Sequence, residues 1–235
     1  MSKVWITVLG LGEDGLAGLR PEARAALDTA EVLIGGERHL ALAPSQKPER
    51  LTWRTPLKDT MEDIKRRRGK RVVVLASGDP MMFGVGTTLA RHFSTGEMTI
   101  IPAVGAFGLA AARLAWSLPD AALLTLHGRK PDILNAHIAP GARLLILSED
   151  GATPAQVARA LVERGYPASA MTVFEHMGGP KENRIDGTAT AWPARSCSTS
   201  SPRAGSARGR RSSSTPSSPT PRRRPSATTC GSRTQ

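Results

Sequence analysis

The stretch Val4-Trp5-Ile6-Thr7-Val8-Leu9-Gly10-Leu11-Gly12-Glu13-Asp14-Gly15 decides the fold: an apolar run of strand length ends in three spaced glycines. A short apolar run with β-branched residues, bounded by glycine, reads as a strand. The spacing Gly10-x-Gly12-x-x-Gly15 matches the dinucleotide-binding fingerprint, with Glu37 roughly where a ribose-binding acid falls. That fingerprint needs a helix N-terminus directly behind its third glycine. Here Leu16 to Arg20 intervene before Pro21, which is suited to open a helix, so an NAD(P)-dependent oxidoreductase is kept only as the alternative reading. What remains is a backbone-rich loop at the C-terminal end of a strand, where open α/β sheets hold ligands.

Outward from this stretch, short apolar runs alternate with helical patterns, the signature of an α/β protein. Strands are expected at 4–9, 31–34, 72–76, 98–101, 122–126, 144–147, 171–174 and 184–190. Helices are expected at 22–30, over the stripe Leu57, Met61 and Ile64 with Gly69 as a stop, and over Phe107, Ala110, Ala111 and Leu114. A further helix carries Val157 and Leu161, with Thr153 as its N-cap, Pro154 at its first position and Gly165 as its stop. These stripes are read as core faces. Pro119-Asp120 interrupts the pattern and divides an N-terminal domain, 1–118, from a C-terminal domain, 119–192.

The formal net charge of +12 over 235 residues is not a property of this body. Residues 1–192 carry 23 Lys and Arg against 20 Asp and Glu, whereas 193–235 carry nine Arg and no acid. That last segment also lacks Val, Ile, Leu, Met, Phe, Tyr and Trp, so it has almost nothing to bury and is expected to be a disordered tail. A nucleic-acid-binding arm would use its arginine clusters, Arg208, Arg210, Arg211 and Arg222 to Arg224; a plain solvated tail is the simpler alternative. Loss of reading frame near Pro193 fits the abrupt switch better, because GC-rich coding DNA read out of frame tends to give Arg, Pro, Ser, Ala, Gly and Thr. Both cysteines, Cys197 and Cys230, lie there, which leaves the body without thiol chemistry. The five histidines show no metal-ligand spacing, and no metal site is expected. The apolar run near the N-terminus is too short to span a membrane and has no small-residue cleavage site, so a cytoplasmic chain is expected.

The second signal is Ser77-Gly78-Asp79-Pro80-Met81-Met82-Phe83-Gly84, directly after a strand. Gly78 would let a ligand approach the backbone, Asp79 would accept hydrogen bonds from hydroxyl or amine groups, and Pro80 would fix the turn. Together with Gly10 to Gly15, Pro102-Ala-Val-Gly-Ala-Phe107 and Leu126-His-Gly-Arg129, this motif makes the chain resemble the tetrapyrrole (corrin/porphyrin) methyltransferase family. Val173-Phe-Glu-His-Met-Gly-Gly-Pro-Lys-Glu-Asn-Arg184 and the Leu126 stretch most resemble the branch that methylates C5 of precorrin-6Y in cobalamin synthesis. The likeness covers about residues 3–192.

The resemblance implies a parallel-sheet N-terminal domain and a smaller mixed-sheet C-terminal domain, with S-adenosylmethionine held in the cleft between them. Matched position by position, Gly12, Glu13, Ser77, Gly78, Asp79, Met82, Gly105 and Ala106 would contact the cofactor, with Glu149 as a looser match. Glu13 stands where the wider family commonly has proline, and Gly105-Ala106 where it has a hydroxyl-bearing pair. No residue is singled out as catalytic, because a sulfonium methyl is already a strong electrophile that mainly needs positioning away from water. A precorrin-type substrate carries several carboxylates; His127, Arg129 and Lys130 are the first candidates to bind them, with Arg38 and His39 weaker. The run Lys65-Arg66-Arg67-Arg68-Gly69-Lys70-Arg71 is read as a solvated helix end. Relatives that also methylate C15 and decarboxylate carry a further domain, so a separate subunit is expected to supply that step. The family's usual homodimer would require an intact C-terminal domain, and the expected last apolar strand after Trp192 is replaced here by the tail.

Overall fold

The computed structural model describes residues 4–43 and 47–192, together with the backbone of 203–208. The chain divides into two compact units, the first ending at Gly105 and the second beginning at Ala106.

In the first unit, strands β1 (Ile6–Leu11), β2 (Val32–Gly35), β3 (Glu49–Thr52), β4 (Val72–Ser77) and β5 (Met98–Ile101) form a sheet in the order β3-β2-β4-β1-β5. Every pairing in it is parallel. Helices α1 (Pro21–Asp28), α2 (Glu37–Leu42), α3 (Leu57–Lys65) and α4 (Val85–Leu89) connect the strands. Alternate residues of β4 feed opposite faces, as the two-residue period of a strand requires. Val72 and Val74 join Ile6, Val8, Met61, Ile64 and Leu89 on one side, while Val73 and Leu75 join Leu9, Ala23, Leu27 and Leu40 on the other. Burial on both faces explains why β1 and β4 read as unbroken apolar runs. The strand β3 and the short helices α2 and α4 are additions to the elements expected from sequence.

The second unit contains α5 (Ala106–Leu114), β6 (Ala122–Thr125), β7 (Arg143–Leu147), α6 (Thr153–Glu163), β8 (Ala170–Glu175), β9 (Asn183–Thr188) and β10 (Arg203–Arg208). Because α5 packs on β7, it belongs to this unit, and the division falls earlier in the chain than Pro119-Asp120. The sheet is mixed, in the order β6-β7-β10-β8-β9: β6 and β7 are parallel, and the other pairings are antiparallel. Its core joins Leu124, Leu126, Leu144 and Ile146 to Val157, Leu161 and Tyr166.

The expectation that this sheet lacks a last strand is corrected. Arg203–Arg208 lies between β7 and β8 and pairs with both, although it reads Arg-Ala-Gly-Ser-Ala-Arg. A strand ladder is made by backbone groups, and two apolar strands with unpaired inner edges take a partner even when it carries little side-chain surface. The rest of the tail, with its other arginine clusters and both cysteines, lies outside the described residues.

Candidate functional site

The C-terminal ends of β1, β4 and β5 lie side by side, and the loops leaving them interlock through glycines. A Cβ added to Gly10 would stand 2.0 Å from the Gly78 carbonyl oxygen and 2.4 Å from the Ala103 nitrogen, so no side chain fits there. The Gly78 N–H donates to the Leu11 carbonyl at 2.7 Å, and the Ala103 N–H donates to the Gly78 carbonyl at 3.2 Å. Gly78 has φ +56°, and a Cβ on it would meet the Gly105 Cα at 3.0 Å. Loop packing on Gly105 and the positive φ both demand glycine at this position. Asp79 is equally close: a Cβ on Gly105 would lie 3.3 Å from the Asp79 Cβ.

After β1, the carboxylate of Asp14 lies against Gly12 and Gly18, where an added Cβ would come within 2.5 Å and 2.0 Å of its oxygens. Gly15 opens a single 3-10 turn, Gly15–Gly18, and α1 begins only at Pro21. The helix N-terminus that a dinucleotide pyrophosphate needs behind the third glycine is thus missing from this loop, and the oxidoreductase alternative loses its site.

The next residue, Glu13, forms an ion pair with Arg38 on α2. On the following position His39 is buried, and its Nε2 lies 3.2 Å from the Ser77 hydroxyl. Desolvation, reinforced by the Arg38 charge and opposed by Glu13, brings the His39 pKa down to about 4. Arg38 and His39, weaker candidates for the substrate, thus contact Glu13 after β1 and Ser77 at the end of β4.

Asp79 shapes its own turn. Its Oδ1 accepts from the Met81 N–H at 2.8 Å, and its carbonyl accepts from the Met82 N–H at 3.2 Å. An ionised carboxylate has about four acceptor positions, so the turn uses only one of them. Around it, Met81, Met82 and Val104 are 44%, 39% and 64% exposed, an apolar rim beside a carboxylate.

In the second unit, the ends of β6 and β7 bring Glu149 and the 127–130 stretch together. The Gly128 N–H donates to Glu149 Oε1 at 3.3 Å, with Gly128 at φ +64°, and the His127 N–H donates to Thr125 Oγ1 at 3.2 Å. Arg129 and Lys130 are exposed; Lys130 precedes the 3-10 turn Pro131–Ala136. Ser148 is fully buried, and its hydroxyl has no hydrogen-bond partner among the described residues. Thr153, expected as the N-cap of α6, is its first helical residue, and Ala152 takes the cap position; Asp150 Oδ1 accepts from the N–H groups of Ala152 and Thr153 just before the helix. Ala106 is the first residue of α5. Farther along, Arg113 grips Glu182 with two hydrogen bonds of 2.6 and 2.7 Å.

The basic run behaves as a solvated surface. Lys65, Arg66, Arg67, Arg68, Lys70 and Arg71 pair with Glu62, Asp63, Glu49, Glu97, Glu49 and Glu31 respectively. The Arg67 hydrogen bond to Glu49 and the Lys65 hydrogen bond to Glu62 hold those carboxylates below their ordinary pKa. Among the described residues, no helix is long and apolar enough to cross a membrane, and no group of three or more His, Cys, Asp or Glu could hold a metal ion.

The chain is similar to known proteins. The family described as Tetrapyrrole (Corrin/Porphyrin) Methylases matches residues 6–192. A precorrin-6Y C(5,15)-methyltransferase [decarboxylating] of Sinorhizobium sp is 49% identical over 179 residues, covering 76% of this chain and 43% of that protein. The chain therefore spans less than half of that relative's length. A cobalt-precorrin-7 C(5)-methyltransferase of Salmonella typhimurium is 34% identical over 177 residues, covering 75% of this chain and 87% of that protein. The crystal structure of a cobalamin biosynthesis precorrin-6Y methylase from Archaeoglobus fulgidus shares the fold, with a TM-score of 0.58, 24% identity and coverage of 83% of this chain and 94% of that one. With the matched region running from the first strand to Trp192, the chain belongs to the tetrapyrrole (corrin/porphyrin) methylase family.

Proposed function

We propose that this protein is an S-adenosylmethionine-dependent C-methyltransferase acting at C5 of a precorrin or cobalt-precorrin macrocycle in corrin-ring biosynthesis. The observation that carries the reading is the meeting of the Gly10, Gly78 and Gly105 loops beside the Asp79 carboxylate and its apolar rim. Adenosylmethionine presents hydroxyl and ammonium donors on an otherwise apolar frame, and such a ligand fits a carboxylate with spare acceptor positions flanked by Met81, Met82 and Val104. The names of the two similar methyltransferases support C5 as the position.

In this reading Gly12, Glu13, Ser77, Gly78, Asp79, Met82 and Gly105 hold the cofactor, which when bound supplies an electrophilic methyl group for a ring carbon. Asp79 accepts from the ligand's donors, and the two methionines keep water from the reacting atoms. His127, Arg129 and Lys130 attract and orient substrate carboxylates, for which arginine's planar fork is the better match. We place the reaction in the cytoplasm, in a homodimer, with C15 methylation and decarboxylation carried by a further domain or a separate subunit.

Calorimetric titration with S-adenosylhomocysteine tests the reading, with Asp79→Ala as the comparison. Micromolar binding that Asp79→Ala weakens is the expected result; a folded wild-type chain that does not bind would overturn it.

A further inference from the structure

Glu13 has a partner in the structure. Glu13 follows Gly12 in the loop after β1 and pairs with Arg38, while His39, the next residue, reaches Ser77 at the end of β4. These two contacts leave α2 from consecutive positions and end on two different loops of the candidate cofactor site. The helix that carries them is itself fixed. Arg50 of β3 donates to the carbonyls of Leu40 and Ala43 at 2.6 and 3.1 Å, tying down its C-terminal end. At the other end, Gly35 leaves room for His39, since a Cβ there would lie 3.5 Å from the His39 Cβ and 3.1 Å from the Leu75 Cβ.

We propose that Arg38 and His39 are positioning residues for methyl transfer, a brace that sets the separation of the loops after β1 and β4. Arg38 acts through Glu13, and His39 acts through Ser77; neither needs to touch the substrate. This inference rests on the cofactor reading above. A neutral imidazole suits the role, because it offers Ser77 one defined hydrogen bond without placing a second cation beside Arg38.

The test combines two measurements on the full chain. Hydrogen exchange of the ligand-free protein reads the brace directly: Arg38→Ala should speed exchange at 12–18, and His39→Leu should speed it at 77–83. The central strand at 72–76 should stay protected in both variants. Calorimetry with S-adenosylhomocysteine reads the consequence, an affinity loss of about tenfold in each single variant, as expected for removal of one interaction in a coupled network. His39→Gln, which keeps a hydrogen-bonding group facing Ser77, should recover most of the affinity lost in His39→Leu. Unchanged exchange and affinity in the single variants, with a binding wild type, would overturn the brace. Failure of His39→Gln to recover both the affinity and the slow exchange at 77–83 would also overturn it, by showing that the contact with Ser77 is not what the imidazole supplies. Altered loop exchange in a chain whose wild type does not bind would instead overturn the cofactor reading and leave the mechanical link standing.

Discussion

The α-carbon of Gly10 faces the carbonyl oxygen of Gly78 so closely that a Cβ on Gly10 would stand 2.0 Å from it. Both neighbours of that missing methyl group, the Gly78 oxygen and the Ala103 nitrogen, are backbone atoms, so relief requires moving two loops and not one side chain. Gly10→Ala is expected to cost about 4 kcal/mol or more, at the far end of single-substitution effects. Gly141→Ala is the comparison: nothing lies within 4 Å of its added Cβ, and only its φ of +75° resists. That variant should lose about 1 kcal/mol, the penalty of a left-handed backbone carrying a side chain. Urea unfolding of both proteins checks the contrast, and equal losses would remove the loop interlock as the reason for Gly10.

His39 makes acid stability a specific quantity. Its pKa falls from 6.5 to about 4 on folding, through burial first and the Arg38 charge second, with Glu13 opposing. Between these values the unfolded chain binds a proton that the folded chain does not, so stability rises with pH across this window and is lost as pH falls from 6.5 towards 4. At about 1.4 kcal/mol per unit, the full window amounts to roughly 3 kcal/mol. Carboxylates held low by their partners, such as Glu49 and Glu182, destabilise the acid state further, but equally in a variant. His39→Gln should therefore lose less stability than the wild type between pH 6.5 and pH 4.5, as melting midpoints would show; parallel pH profiles would mean that the imidazole titrates normally.

Much of the framework was legible because burial on both faces leaves an unmistakable pattern. Ile6 to Leu11 is apolar apart from Thr7, Val72 to Ala76 is apolar throughout, and Leu57, Met61 and Ile64 form one helical stripe. In β3, Glu49-Arg50-Leu51-Thr52, only Leu51 is apolar, and pairing with β2 rather than composition makes it a strand. Helix α2 has only six residues, too few for a period to show. The glycine motifs marked the loops correctly, but the reason for each glycine lay in residues far along the chain, such as Gly105 against Gly78. The partners of Arg38 and His39 were not legible, since nothing local tells that Glu13, 25 residues earlier, pairs with the first and Ser77, 38 residues later, meets the second.

The hairpin between β8 and β9 is pinned by one exposed pair. Arg113 on α5 donates two hydrogen bonds to Glu182, which also accepts from the Gly178 N–H at 2.7 Å, and both interactions hold the Glu182 carboxyl below its ordinary pKa. Because the Arg113 side chain is 36% exposed, solvent screening limits its contribution, and Arg113→Ala should cost less than about 1 kcal/mol. Its local effect should be larger than its global one: amides at 178–182 should exchange faster while the melting midpoint barely moves. A large midpoint loss, or an unchanged hairpin, would show that this pair does not govern the loop.

The slot between β7 and β8 gives the sharpest test of the second unit. Gly205 of β10 stands opposite Ile146 on one side and Val173 on the other, and both of these are fully buried. Glycine weakens a strand interior through backbone entropy and the absence of packing, whereas a β-branched residue between two such neighbours is favoured. Gly205→Val is expected to stabilise the chain by about 1 kcal/mol, the span of strand preferences measured in host proteins. Gly205→Pro should act in the opposite direction, since proline removes a ladder N–H and is not accommodated in a central strand. The two substitutions oppose each other only if Arg203–Arg208 is part of the folded sheet. Urea midpoints that rise for Val and fall for Pro would establish that; midpoints indifferent to both would leave β7 and β8 without a partner from the tail, with edges open to pairing between molecules.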